Sequence, residues 1–391
     1  MKQFKDDIKL YNKLYNDDSF THLFIFIYNF LFIIIMKQYD YRNPLDIQEA
    51  LMAAENKRKL ITETKIDTRD KKIRLLFFEF EKYMNVTTYD VDDVDIIFIA
   101  SDSCKYELKN NVLTINDYNN KLIKVDLTND INNTIIYAKA GYTLNKMTFL
   151  LNKFVEAGFI VINDPRKIIT SSDKYLTALL LDEYSINQPK YTIVTNDDCN
   201  TDDPKKDFEK ILKPIYGNVN EDNKYVCKLL NGHGGNGVFI CKGKNILSII
   251  QCIFSIDDSQ KILIQQALDI KDGDIRAYVL TYNGKQELVT CITRKKANND
   301  FRTNISLGST FEKFELTNEQ KQFAFNVAEK TGLMFCGVDM CIDEKTNKLY
   351  VIEINGAPGA PVPIGLSEEE NHHQHAEYYQ MFTNKLMSII K

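Results

Sequence analysis

The chain has 391 residues, 44% hydrophobic and 26% charged, the balance of an ordinary soluble protein with length for two or three domains. A formal net charge of -5 gives no bulk attraction to nucleic acid, and no nucleic-acid partner is expected. Eight scattered cysteines without a C-x-x-C argue against a disulfide framework or a paired-cysteine zinc site, and fit reduced thiols in a cytoplasmic setting.

The stretch "FTHLFIFIYNFLFIII", Phe20 to Ile35, is nearly all apolar and sits at the lower length limit for a membrane helix. Lys2, Lys5, Lys9 and Lys13 before it are balanced by Asp6, Asp7, Asp17 and Asp18, so the basic start of a signal peptide is missing. The chain then reads "MKQ" again at Met36. Three readings fit: a membrane anchor, a buried segment, or sequence upstream of a start at Met36, and the last is the one expected. Membrane contact is expected only if 20–35 is retained as an anchor. Residues 36–68 are polar, with helical spacing in "PLDIQEALMAAENKRKLI".

From about residue 70 short apolar runs take over. "IRLLFF", "VDIIFIA", "NTIIYAKA" and "GFIVIND" read as strands, and "NKMTFLLNKFVEAG" as a helix stopping at Gly158. Strands alternating with helical spacing predict a small parallel α/β domain ending near Asp164-Pro165. "SSDKYLTALLLDEYSI" predicts a helix capped by Ser171 or Ser172.

"YVCKLL" and "GVFICKG" then flank "NGHGGNG", which holds Gly232, Gly234, Gly235 and Gly237. A dinucleotide fingerprint needs a helix after the turn, but a strand follows here; no Gly-Lys-Ser/Thr ends the loop either. The prediction is a glycine-rich hairpin, able to let backbone N–H groups approach phosphate. Taken alone, it is equally a surface turn. Lys228, four residues ahead of Gly232, and Lys174, at the start of the earlier helix, are candidate phosphate contacts. "ILIQQAL" reads as a strand entering a linker.

In the last third, "GVDMCID" and "KLYVIEIN" predict a hairpin. Glu353 and Asn355 are two apart and share a face, with Asp339 opposite. Two carboxylates and an amide oxygen are hard ligands that suit Mg²⁺ held jointly with phosphates. Arg276, Arg294, Arg302 and Asn304 lie in "GDIRAYVL" and "TRKKANNDFRTNISLGS", where forked donors could clamp phosphate or carboxylate.

The ordered series Asp173-Lys174, "VCKLLNGHGGNGV", "ILIQQAL", "DIRAYV", "DFRTN", "GVDM" and "VIEINGAPG" resembles the ATP-grasp superfamily, in particular its RimK-like amino-acid (glutamate) ligases. The resemblance covers residues 165–391. It implies an α/β ATP-grasp fold, two α+β lobes holding ATP after a small parallel pre-ATP-grasp domain. The implied division is an extension over 1–68, the small domain over 69–165, a central lobe with the glycine loop over 166–261 and a C-terminal lobe with the Mg site over 262–391. Lys174, Lys228 and the loop glycines Gly232, Gly234, Gly235 and Gly237 would contact ATP phosphates. Gln265, Gln266 and Leu268 would line the adenine pocket, with the backbone of Gln266 and Leu268 holding the base. Asp274 would approach the ribose. The family often has Glu where this chain has Gln266. Asp339, Glu353 and Asn355 would hold two Mg²⁺ ions, with Mn²⁺ as a substitute. Arg276, Arg302 and Asn304 would face the transferring phosphoryl group.

The implied reaction joins a carboxylate to an amine through an acyl phosphate. An amino acid such as glutamate and a carboxylate acceptor, either a small molecule or a protein tail, are the implied partners; a homo-oligomer is left open. Two other classes remain: a kinase acting on a hydroxyl such as that of an inositol phosphate, and a non-catalytic ATP-binding module. "EEENHHQHAEYY", with His372 and His375 three apart, reads as a solvated helix start, with a transition-metal site as the sharper option.

Overall fold

The computed structural model describes residues 72–139, 145–199, 203–217, 220–230, 235–270, 273–295, 302–303 and 309–391. The expected readings of residues 1–68, the Met36 start among them, lie outside the described residues. No helix among the described residues is long and apolar enough to cross a membrane.

The first sheet is parallel, as the alternating pattern predicts. Strands β1 (Ile73–Glu79), β2 (Val94–Ala100), β6 (Thr134–Ala138) and β7 (Ile160–Ile162) lie in the order β2-β1-β6-β7. Helix α1 (Asn145–Ala157) leads into β7 and ends at Gly158, whose φ of +98° suits a residue without Cβ. Between β2 and β6 the sequence reading missed an antiparallel meander, β3 (Tyr106–Lys109), β4 (Val112–Asn116) and β5 (Leu122–Asp126). Its strands are short and mostly polar, so only alternate residues such as Leu113, Ile115 and Val125 enter a core.

Asp164 caps helix α2 (Pro165–Ser172) by accepting from the Arg166 N–H, with proline at the first helical position. Helix α3 (Lys174–Glu183) begins after Asp173, whose carboxylate accepts from the N–H groups of Tyr175 and Leu176. This corrects the expected cap: Ser171 and Ser172 close the preceding helix, and the aspartate supplies the stronger charged acceptor.

The second sheet holds β8 (Tyr191–Val194), β9 (Lys224–Leu229), β10 (Val238–Lys242) and β11 (Ile262–Gln266), in the order β10-β9-β11-β8. Helices α4 (Pro204–Tyr216) and α5 (Gly243–Ile256) pack on one face through Ile211, Leu212, Ile246 and Ile250. Because β11 pairs with both β8 and β9, the expected division between 261 and 262 cuts through this sheet. The sheet carrying the glycine hairpin extends to Gln266.

The third sheet has five antiparallel strands, ordered β14-β13-β12-β15-β16: β12 (Asp274–Tyr282), β13 (Lys285–Lys295), β14 (Thr310–Lys313), β15 (Phe335–Asp343) and β16 (Lys348–Asn355). Period-2 alternation sorts its faces. Ile275, Ala277 and Val279 point to helix α6 (Asn318–Thr331), against Ala324, Val327 and Ala328. Tyr278 and Leu280 point the other way, to helix α7 (Glu368–Ile390). Helix α7 fills the space between this face and the parallel sheet: Tyr379 and Phe382 share one core with Phe77 and Tyr137 of the parallel sheet and with Tyr278 and Phe335 of the third sheet.

Candidate active site

A cleft separates the second sheet from the third. Lys228, Val238, Gln265 and Gln266 line one wall, and Asp274, Arg294, Asp339 and Glu353 line the other, with Lys174 and Arg302 at its edges.

The charged wall follows from strand register. Arg276 on β12 pairs with Asp339 on β15, which pairs with Glu353 on β16, so three charges form a row across the sheet. Two residues back along β12, Asp274 pairs with Arg294 on β13. A bulge after Asp339 aligns Met340 with Val351 and leaves Ile352 over. Such an extra residue bends the strand and frees backbone groups. The freed carbonyl of Ile352 accepts from Lys228 Nζ at 3.3 Å.

Asp339 is almost fully buried and accepts from Arg276 Nε at 2.5 Å, from Arg276 Nη2 at 2.6 Å and from Arg294 Nη2 at 2.8 Å. Burial pushes its carboxyl up, but the two guanidiniums outweigh this and hold it below the ordinary carboxylate range. Arg294 also bonds both oxygens of Asp274. The Asp274 carboxyl is nonetheless raised, chiefly by burial. Gly273, at φ +100°, abuts the backbone of Arg294 so closely that a Cβ would fall 1.9 Å from its carbonyl oxygen. Any other residue would push β12 off β13 and break the Asp274–Arg294 alignment.

The opposite wall is cationic. Lys228 is buried, and desolvation pushes its ammonium below the ordinary lysine value, with Glu353 opposing. Lys174, at the first position of α3, donates to the Leu230 carbonyl at 3.3 Å and is lowered for the same reason. The hairpin forms as predicted: Lys228 pairs with Val238, and Leu229 donates to the Gly237 carbonyl at 2.8 Å. Gly235 and Gly237 have φ of +82° and +71°. Arg302 Nη1 donates to the Gly235 carbonyl at 3.0 Å, tying the hairpin to the segment before β14.

Among the expected site residues, the structure therefore gathers Lys174, Lys228, Gly235, Gln265, Gln266, Leu268, Asp274, Arg302, Asp339 and Glu353 along one cleft. Arg276 stands behind Asp339. Asn355 is one rung away, opposite Gly337, its Oδ1 accepting from the Ala357 N–H at 3.0 Å. Asp274 departs from expectation. It was expected at a ribose, yet it is 3% exposed and bonded to Arg294. The Gln266 N–H donates to the Lys190 carbonyl at 2.8 Å. Gly232, Gly234 and Asn304 lie outside the described residues.

Sequence reasoning named Arg294 only as one of several arginines able to clamp phosphate or carboxylate; the structure puts it on the carboxylates of Asp274 and Asp339. Its signal is the cross-strand pairing with Asp274, which only the register reveals. The histidine tract forms no site: His372 Nε2 lies 3.0 Å from the Thr88 carbonyl and His375 Nδ1 lies 2.9 Å from that of Asn371. Among the described residues no three His, Cys, Asp or Glu converge as a metal cluster. The set present is two opposed carboxylates and an amide oxygen, whose hard-donor chemistry fits Mg²⁺ shared with phosphate.

A family model described as the RimK-like ATP-grasp domain matches residues 171–363. A protein of Vibrio atlanticus named probable alpha-L-glutamate ligase is 28% identical over 214 residues, 54% of this chain and 64% of that protein. One of Psychromonas ingrahamii with the same name is 30% identical over the same shares. The chain thus covers somewhat less than two thirds of these relatives. Among solved structures, D-alanyl-alanine synthetase A from Vibrio cholerae has a TM-score of 0.51 at 16% identity, covering 81% of this chain and 99% of that one. A RiPP-associated ATP-grasp ligase of Chryseobacterium gregarium, bound to ADP and a leader and core peptide, has a TM-score of 0.54 at 13% identity, covering 80% and 97%. These likenesses establish the fold.

Proposed function

We propose, from the match of the RimK-like ATP-grasp domain model to residues 171–363, that this chain is an ATP-dependent carboxylate–amine ligase. The observation that carries the reading is the row Arg276–Asp339–Glu353 facing Lys174 and Lys228 across the cleft. Carboxylates to hold a divalent cation stand opposite ammonium groups placed for phosphates. The two walls suit a nucleoside triphosphate with its metal.

The chemistry follows from what a carboxylate lacks. At neutral pH its oxygen is too poor a leaving group for an amine to displace. One carboxylate oxygen attacks the γ-phosphorus, the bond to the β-phosphate bridging oxygen breaks, and ADP departs. The amine then attacks the acyl carbon of the acyl phosphate, phosphate leaves with its bonding pair, and the nitrogen loses a proton to give the amide. No protein nucleophile is needed. Catalysis rests on positioning and on cations around the transferring oxygens.

In this reading Lys174 and Lys228 exchange their carbonyl contacts for phosphate oxygens, and the hairpin at Gly235–Gly237 covers them. The Gln266 carbonyl and the Leu268 backbone hold the base, beside Gln265. Asp339, Glu353 and Asn355 hold the Mg²⁺, one ion or two, with Mn²⁺ as a substitute; the metal supplies Lewis-acid neutralisation of the phosphates. Arg276, Arg302 and Asn304 face the phosphoryl group in transfer. The names of the curated relatives support glutamate as the amino-acid substrate. The peptide-bound ligase structure has the same fold, which makes a peptide or protein tail a reasonable acceptor alongside a small acid.

The test is ADP release with pooled amino acids and acids, then mass spectrometry of the product. An adduct heavier by one amino acid less water supports the ligase. ADP release with inositol phosphates alone would assign a kinase, and no release with either would leave a binding module.

A further inference from the structure

The two arginines on Asp339 are not equivalent. The Arg294 side chain is 4% exposed and bonds two carboxylates, those of Asp274 and Asp339. The Arg276 side chain is 13% exposed and, among the described residues, pairs with one carboxylate, that of Asp339. Its Cδ and Nε run beside Gly337, where a Cβ would stand 3.5 and 3.6 Å away. The glycine leaves that flank of the guanidinium clear.

Asp339 is the carboxylate best placed for a cation opposite Glu353, yet it accepts three charge-assisted bonds. An ionised carboxylate offers about four lone-pair sites, so little is left for another partner. A divalent cation approaching Asp339 would also meet two guanidiniums on its own ligand. Four cationic side chains, those of Lys174, Lys228, Arg294 and Arg302, line the cleft against three carboxylates. In this state the cleft attracts a polyanion and repels a bare cation.

We propose that Arg276 is an exchange residue, which closes Asp339 to divalent cations until a polyphosphate enters and then moves its guanidinium from Asp339 to the phosphate. Arg294, anchored by Asp274, stays and holds the opened carboxylate in position. Polyphosphate and metal thereby bind together, and the free metal is refused. This rests on the reading of the cleft as a nucleotide site, and it gives Arg294 a positioning role that reading does not contain.

The test is a Mn²⁺ titration followed by the electron paramagnetic resonance of the free ion, with and without the β,γ-imido analogue of ATP. Wild-type protein is expected to bind Mn²⁺ only with the analogue. Arg276→Gln is expected to bind Mn²⁺ without it, at least about tenfold more tightly than wild type, as for two competing charges coupled at one site. Arg276→Lys, which keeps a charge but loses the fork, should fall between and covers the case in which the glutamine variant misfolds. Arg294→Gln should gain no nucleotide-free binding. Tight Mn²⁺ binding by wild type alone overturns the proposal. So does an Arg276→Gln variant that melts normally yet binds Mn²⁺ no better than wild type. If wild type binds Mn²⁺ in neither condition, the nucleotide-site reading fails first and the proposal with it.

Discussion

The two walls of the cleft hold their charges in opposite ways. On the side of the second sheet, Lys174 at the start of α3 and Lys228 on β9 each donate to a main-chain carbonyl at 3.3 Å, a long contact to a neutral acceptor. On the third sheet, Arg276, Asp339, Arg294 and Asp274 form a buried alternating chain, with bonds of 2.5 Å from Arg276 Nε to Asp339, 2.8 Å from Arg294 Nη2 to Asp339 and 2.8 Å from Arg294 Nε to Asp274. Charges held that tightly in a low dielectric are costly to separate. One wall exchanges contacts to neutral carbonyls, whereas the other has Arg294, Asp339 and Asp274 set before the ligand arrives and releases Arg276 alone, to a polyphosphate.

The largest expected effect breaks the rigid wall. Asp339→Asn strips the counter-charge from two buried guanidiniums, and losing one partner of a buried pair typically costs about 3–5 kcal/mol. The variant should lose ADP release and melt well below wild type. Glu353→Gln is the contrast, because Glu353 is only partly buried. It should lose at least about 100-fold in ADP release at saturating Mg²⁺, the scale for one electrostatic contact to the transition state, with its melting temperature nearly unchanged. Near-normal turnover of Glu353→Gln would falsify the metal-ligand assignment.

The adaptable wall should answer to pH. Burial lowers both lysines below their usual 10.5, and phosphate would raise them again. Nucleotide binding should therefore take up protons where the free lysines are partly neutral, and affinity should fall as pH rises through their lowered values. For the free protein the sign reverses. A group whose folded pKa is lowered binds fewer protons folded than unfolded, so its penalty is fully present below the folded pKa and eases as pH climbs toward 10.5. Calorimetry in buffers of different ionisation heat measures the uptake; binding heats independent of buffer at alkaline pH would remove the lysines from the phosphate site.

A smaller effect is expected at the hairpin. Gly235→Val places a β-branched residue at φ +82° on a segment bonded to Arg302. It should raise the ATP KM by about tenfold, as a strain of one to three kcal/mol on the bound conformation implies, with less effect on melting. Amide exchange at 235–238 that ignores Mg-ATP counts against a covering role. The smallest effect is expected from the start of the chain, since the described cleft uses no residue before Lys174. A chain beginning at Met36 should stay soluble and keep its ADP release; aggregation or loss of activity would place 20–35 in a core.

The same contrast explains what the sequence could and could not reveal. The glycine hairpin and its lysine were legible because glycine spacing between two apolar runs is a local signal. Asp339, Glu353 and Asn355 were legible because alternation assigns a face. Arg294 was not, because its meaning depends on which residue of β12 lies opposite, and bulges at Tyr278/Val279 and Asp339/Met340 shift that register. The pairing of Asp274 with Arg294 was hidden for the same reason. The meander β3–β5 escaped because strands such as "YELK" carry no apolar run. The place of α7 escaped because no amphipathic pattern names the partner of a helix face.

That helix has a consequence for the order of synthesis. Phe77 and Tyr137 are made long before the rings that cover them, Tyr379 and Phe382. A ribosome-bound chain therefore holds an open aromatic face on its parallel sheet until residues up to Ile390 emerge. Until then that face is exposed hydrophobic surface of the kind that favours aggregation.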